Sequence, residues 1–264
     1  MSGVIKQEQQ KDWFDQWKIF DRNEVLFLFE GWIFPQKLED LQGKDVLEAG
    51  CGGGPHTELV AQFARHITAV DLNTAALARQ RLEGTVNVDC VEDDIATMDL
   101  KRSFDIVFSV GVVHHTDDPD KTVQNLKRHV KPGGKLILWV YAKEGNWLVE
   151  HVVEPLRKLF LKNLSRKTVL NISAVSTALV YIPAFTVYFL PLRFLPYFQY
   201  FTNWRKLPFN RNLLNVFDKL NAPQVAFISK QRVESWFKDN NFKITHLSHY
   251  VGVSWRITAQ RQDG

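Results

Sequence analysis

The sequence predicts an α/β protein built on a doubly wound, mostly parallel sheet, with an antiparallel pair at its C-terminal end and a helical hydrophobic insert. Three observations carry this. Short apolar runs alternate with helix-patterned segments from residue 44 to 142, a rhythm that implies crossover connections and parallel strands. A bend with four glycines in five positions, Gly50 to Gly54, joins the first run to the first helix. Two strand-like runs close the chain in tight succession, as antiparallel neighbours do.

The elements follow in order. Residues 1–43 are aromatic-rich and helix-patterned, with Trp13, Trp17 and Phe20 at helical spacing and more apolar surface from Val25 to Trp32; they read as a helical cap, packed on the main domain or closing over a pocket. "DVLEAG" is a first strand and Pro55–Arg65 a helix. "HITAVDL" is a second strand, followed by a helix over Asn73–Leu82 with Asn73 as N-cap. "VNVDCVEDD" is a third strand. "FDIVFSVGVVHH" is a fourth, apolar enough to be buried on both faces. In "DDPDKTVQNLKRHV", Asp118 caps a helix with Pro119 at its first position. "KPGG" is a turn and "KLILWVYA" a fifth strand. After the insert, "QRVESWFKDNNF" is a helix, and "KITHLSHYV" and "SWRITAQR" are the closing strands. The domain reading is a cap (1–43), a catalytic-type domain (44–150 and 210–264) and the insert (151–209).

Composition sets bounds. The 264 residues carry a net charge of +4, with 45% hydrophobic and 23% charged residues, enough chain for a substantial core. The two cysteines, Cys51 and Cys90, form no CxxC or metal-like spacing; this disfavours a disulfide scaffold or zinc site and fits a reducing compartment. The N-terminal "MSGVIKQEQQKDWFDQW" has no apolar signal core, so the expected location is cytoplasmic.

The insert contains 25 residues without a charge, Thr168 to Leu192, long enough to span a bilayer. A single crossing would divide one sheet between two sides of a membrane, and Pro183, Pro191 and Pro196 interrupt helix propagation. Two readings stay open: a lid of short helices over an acceptor site, with Ile172, Val175, Leu179 and Ile182 forming one face, or a segment lying on the inner membrane surface through 157–211, helped by flanking basic and aromatic residues. Either implies a hydrophobic, bulky or lipid-linked small molecule as partner.

The glycine bend decides the ligand class. A dinucleotide fold needs GxGxxG, but the third glycine position here is Pro55, and Glu48 would set a negative charge near a pyrophosphate. The pattern Glu48-x-Gly50-x-Gly52-x-Gly54 instead resembles the first motif of class I S-adenosylmethionine-dependent methyltransferases. "VEDDIATMD", "FDIVFSVGVVHH" and "VKPGGKLIL" resemble their later motifs, in order. The resemblance covers about residues 44–142, and implies a seven-stranded sheet and S-adenosylmethionine as cofactor. It assigns Glu48, Gly50, Cys51, Gly52 and Gly54 to the cofactor loop, Asp71 and Leu72 to the ribose end, Asp94 and Ile95 to the adenine, and Ser109 to the fourth-strand side. Small-molecule O-methyltransferases of this class carry a catalytic histidine in a His-x-x-x-Asp context; aligned on Asp118, that role falls on His114, with His115 as the neighbouring alternative. Nucleic-acid amino-methylating relatives carry an Asn/Asp/Ser-Pro-Pro-aromatic sequence where this chain reads Ser109-Val110-Gly111-Val112, so no nucleic-acid partner is expected. The implied activity is methyl transfer to a small, hydrophobic acceptor, at oxygen; an NAD-dependent oxidoreductase and a non-catalytic membrane-associated scaffold are the rival classes. No metal ligand set is evident: His246 and His249, three apart on a strand, point to opposite faces. His56, in the first helical turn after the bend, is expected to face solvent.

Overall fold

A computed structural model describes residues 22–161, 163–221, 224–239 and 241–263. The expected aromatic spacing at Trp13, Trp17 and Phe20 lies outside them. Seven strands form one sheet: β1 (Asp45–Ala49), β2 (His66–Asp71), β3 (Val88–Glu92), β4 (Phe104–Val110), β5 (Val130–Tyr141), β6 (Phe242–Tyr250) and β7 (Ser254–Arg261). Their order is β3-β2-β1-β4-β5-β7-β6. β1 to β5 pair in parallel, and β6 and β7 are the antiparallel pair. The chain winds outward from β1 to β3 and returns to β4 beside β1. That reversal opens a crevice at the carboxyl ends of β1 and β4, where doubly wound folds bind ligands.

Helix α1 (Arg22–Ile33) precedes the sheet. Its Phe29 and Ile33 join Leu41, Val46, Ile67 and Phe108 in one core, so this helix packs on the sheet's hydrophobic layer. Helices α2 (Pro55–Val60), α3 (Ala75–Arg81) and α4 (Pro119–Arg128) are the crossovers. As expected, Pro119 opens α4 and the Asp118 carboxylate accepts from the Asp120 and Lys121 amides, both at 3.0 Å.

Several boundaries differ from expectation, each for a local reason. β4 ends at Val110, because Gly111 takes a left-handed conformation (φ 79°) and a 3₁₀ turn, Val113–His115, follows. The "KPGG" segment lies within β5 as a bulge: Phe104 pairs Val130, but Ile106 pairs Lys135. A Cβ on Gly134 would stand 2.9 Å from the Asp105 carbonyl, so only glycine fits the bulge. α2 stops at Val60. Asn73 is not the cap of α3: Thr74 holds that position without a side-chain bond, and the Asp71 carboxylate serves the Asn73 and Thr74 amides instead.

The chain divides into two compact units. One comprises the described residues up to Val140 with Gln231–Ser248 and Trp255 onward; the other comprises Tyr141–Lys230 with His249–Ser254. In the first, α8 (Lys230–Ser235) leads to a clasp on α4: Asp120 accepts from Arg232 and from the Trp236 indole. The buried Lys127 ammonium donates to the Trp236 carbonyl at 2.8 Å. The second unit holds α5 (Arg166–Phe185), α6 (Phe198–Trp204) and α7 (Phe209–Asn221), with α5 and α7 packed along each other.

Candidate functional site

The glycine bend leaves β1 with three left-handed glycines, Gly50 (φ 86°), Gly52 (φ 56°) and Gly54 (φ 80°), a conformation other residues adopt only with strain. Gly50 is also pressed from outside: a Cβ there would lie 2.5 Å from both γ-methyls of Val112. The bend after β1 and the loop after β4 therefore touch at the switch point. At Gly54 an added Cβ would meet Leu82 at 3.1 Å and Ala78 at 3.2 Å, which sets how closely α2 approaches α3.

Asp71 organises the bend. One carboxylate oxygen accepts the Gly52 amide at 2.9 Å; the other accepts the Asn73 and Thr74 amides at 3.1 and 3.0 Å. A carboxylate offers about four lone-pair directions, so one remains open on the Gly52 side. Beside it Leu72 leaves an apolar side chain 46% exposed at the strand end. After β3, one Asp94 oxygen turns back onto the Ala96 amide at 2.8 Å. Ile95 is buried and its carbonyl accepts from Asn125.

Three of the expected cofactor residues turn their side chains inward. Glu48 is fully buried and accepts from the Thr57 hydroxyl at 2.5 Å, with His56 Nδ1 at 3.4 Å. Burial pushes its carboxyl pKa up, against the lowering pull of His56 and Thr57. Glu48 thus anchors the start of α2 to the end of β1. Cys51 packs with Ala69, Ala78 and Leu82, and burial pushes its thiol pKa well up, so only its backbone faces the bend. The Ser109 hydroxyl donates to the Ala49 carbonyl at 2.7 Å and stitches β4 to β1.

His56 is a correction. It is buried, not solvent-facing: its ring stacks on Phe29 at 4.8 Å and meets Trp32 edge-on at 5.8 Å. Those rings come from α1, so the sequence near His56 held no sign of them. Trp32 also lies 5.2 Å from Trp139 on β5. Trp139 stands 6.1 Å from His114, whose ring lies 4.2 Å from that of His115. An unbroken aromatic row thus runs from α1 across β5 to the turn after β4. In that turn His114 is buried and His115 half-buried. Thr57, Phe29, Trp32, Val112 and Trp139 were not expected at the site; only Thr57, inside the motif itself, was within reach of sequence reading.

Among the described residues no cluster of metal-ligating side chains occurs. His246 bonds Ser248 and His249 the Glu144 carbonyl. The arrangement offers a bare backbone loop, an acidic strand end and adjacent apolar surface, with the Glu48 carboxylate beneath the loop and Pro55 at the third dinucleotide position. That suits a nucleoside with a cationic centre better than a diphosphate.

Residues 47–138 match a family model described as a methyltransferase domain. This segment resembles a methyltransferase domain. Ubiquinone biosynthesis O-methyltransferases are similar to it: that of Coxiella burnetii (strain Dugway 5J108-111) is 36% identical over 101 residues, which is 36% of this chain and 43% of the relative. That of Pseudomonas aeruginosa (strain UCBPP-PA14) is 37% identical over 103 residues, 37% of this chain and 44% of the relative. The chain thus spans less than half the length of the curated relatives it matches. In fold, it is similar to magnesium protoporphyrin IX methyltransferase from Synechocystis PCC 6803, crystallised with S-adenosylhomocysteine, at TM-score 0.58 and 15% identity, covering 99% of this chain and all of that one. The matched segment includes the bend, Asp71, Asp94, Ser109 and the His114–His115 turn.

Proposed function

We propose that the chain transfers a methyl group from S-adenosylmethionine to an oxygen of a small, apolar or lipid-linked acceptor. The observation that supports this best is the bend itself. It is held by Asp71 through the Gly52 amide, is pressed by Val112 at Gly50, has a buried carboxylate below it, and lacks the third glycine a dinucleotide requires. The backbone of Gly52 to Gly54 and the open lone pair of Asp71 would hold the amino-acid and ribose parts. Leu72, Asp94 and Ile95 would border the adenine. Glu48 and Ser109 act behind them, fixing α2 and β4 to β1, and Cys51 packs the bend against β2 and α3. When bound, the cofactor supplies an electrophilic methyl on a sulfonium centre.

The chain's own work is then placement and proton removal. Fixing the acceptor in line contributes roughly 7–11 kcal/mol at best. The His114–His115 pair follows β4 at the crevice, and an imidazole suits a hydroxyl proton near neutral pH. We assign the base to His114, the residue four before Asp118, with His115 as its more open neighbour. Oxygen as acceptor atom is favoured by the relatives, whose names specify O-methylation. An apolar acceptor is favoured by Trp139, whose ring lies beside that of His114.

The test is a labelled-methyl transfer assay on host extract, with lipid and aqueous fractions kept apart, alongside calorimetry with S-adenosylhomocysteine. Label in the lipid fraction and measurable cofactor binding are expected. His114→Ala should lower turnover by about 10²- to 10⁴-fold with cofactor affinity retained. An unchanged rate in His114→Ala removes that base assignment, and a loss in His115→Ala alone moves it to His115; cofactor binding without label in any fraction points to the scaffold reading.

A further inference from the structure

Helix α5 is built inside out. Its buried side carries, between Val169 and Ala184, Ser173 and Thr177, both fully covered, whose hydroxyls return to the Val169 and Ser173 carbonyls at 2.8 and 2.6 Å. The polar seam continues onto α7, where the buried Asn212 amide donates to the Tyr181 hydroxyl at 3.0 Å. The outer side carries Val175, Leu179 and Ile182, 61–64% exposed, and Phe185, 48% exposed. Only 22% of the helix's most apolar stretch is buried. A helix in water turns its apolar stripe to the core, and contiguous exposed apolar surface of this kind marks an interaction face. The face does not end with the helix: Leu159, Phe189 and Phe194 are 72%, 72% and 81% exposed.

Charge indicates what covers it. Between Pro155 and Phe217 the sequence has nine Lys or Arg and no Asp or Glu. The whole chain is only +4, so the positive charge is concentrated on this segment. Lys158, Lys167, Arg193 and Lys206 are exposed. An acidic protein partner would satisfy the charges but not so much bare aliphatic and aromatic surface; an anionic lipid surface satisfies both. The 20 residues of α5 are long enough to cross a bilayer. Crossing is excluded by what borders the helix: α7 packs along it carrying Asp218 and Lys219, and the chain on either side belongs to one sheet.

We propose that residues 155–217 dock the protein in plane on an anionic bilayer, with the Val175–Leu179–Ile182–Phe185 face at the interface and the surrounding basic side chains on lipid phosphates. The test is flotation of the full chain with phosphatidylcholine vesicles, with and without phosphatidylglycerol. Binding is expected only to the anionic vesicles and should weaken with salt. Each basic residue near the surface is worth roughly fivefold, so Lys167→Ala/Arg193→Ala should weaken partition about 25-fold. Leu179→Glu/Ile182→Glu, at exposed positions, should abolish it while circular dichroism stays unchanged. Absence of flotation, equal flotation on both vesicle types, or flotation unaffected by either double variant overturns the proposal. So does a dimer in lipid-free sedimentation that Leu179→Glu dissociates, since a second copy would then cover the face. Flotation requires no methyl transfer, so this proposal and the functional one fail independently.

Discussion

At the scale of single residues, the site depends on groups whose importance lies in what they leave unfilled or hold in place. Gly50 is the sharpest case. A methyl there meets Val112 at 2.5 Å, and the left-handed φ adds roughly 1–2 kcal/mol for any other L-residue. Gly50→Ala is therefore expected to weaken S-adenosylhomocysteine binding at least tenfold and to lower Tm. Adding Val112→Ala should recover part of the loss, because it removes the two γ-methyl contacts and leaves the 2.8 Å approach to the residue-112 Cβ and the backbone strain. Calorimetry on the single and double variants checks this; no recovery would mean that the bend and the β4 loop do not meet as described. The sequence announced the glycines through their spacing. It could not announce Val112, because the contact joins residues 62 positions apart.

At the scale of elements, capping and clasping hold the crossovers at the sheet. The Asp118 carboxylate covers two of the amides that open α4, and Asp118→Ala should cost about 1 kcal/mol, or roughly 2–4 °C in Tm for a chain of this size. Calorimetric melting measures it; an unchanged Tm would mean water serves those amides equally well. This cap was legible because Asp-Pro at a helix start is a local signal. The start of α3 was not legible in the same way. Asn73 has cap chemistry, but Thr74 takes the cap position, and Asp71, held in place by β2, accepts the Asn73 and Thr74 amides that lead into the helix. The "KPGG" bulge shows the same limit: its glycines read as a turn, and pairing with β4 made them part of a strand.

At the scale of the whole molecule, opposite pKa shifts shape stability against pH. Arg65 and Lys131 outweigh burial and bring Asp45 down to about 2. The Asp45 amide and Lys131 outweigh burial at Asp105, and Arg232 lowers Asp120. These carboxyls are more acidic folded than unfolded, so their contribution is complete above the ordinary carboxylate range, about pH 4, and is lost as pH falls toward 2. Glu48 has the reverse sign. Burial raises its folded pKa, so its contribution is complete below about pH 4 and shrinks as pH rises through the folded value. Urea unfolding at several pH values should show a steep acid limb, and a shallower decline on the neutral side that Glu48→Gln flattens; an identical profile in that variant would place Glu48's charge outside the balance. The sequence by itself determined the strand–helix order, the position of the crevice and the domain's resemblance to methyltransferases, because backbone conformation and hydrophobic period are properties of neighbouring residues. Tertiary structure alone decided that Glu48, Cys51 and Ser109 face inward, that His56 lies beneath Phe29 and Trp32, and that α5 turns its serine and threonine in and its aliphatic face out. Which side of a residue is covered depends on chain that arrives from far away in sequence, and period alone does not record the direction of approach.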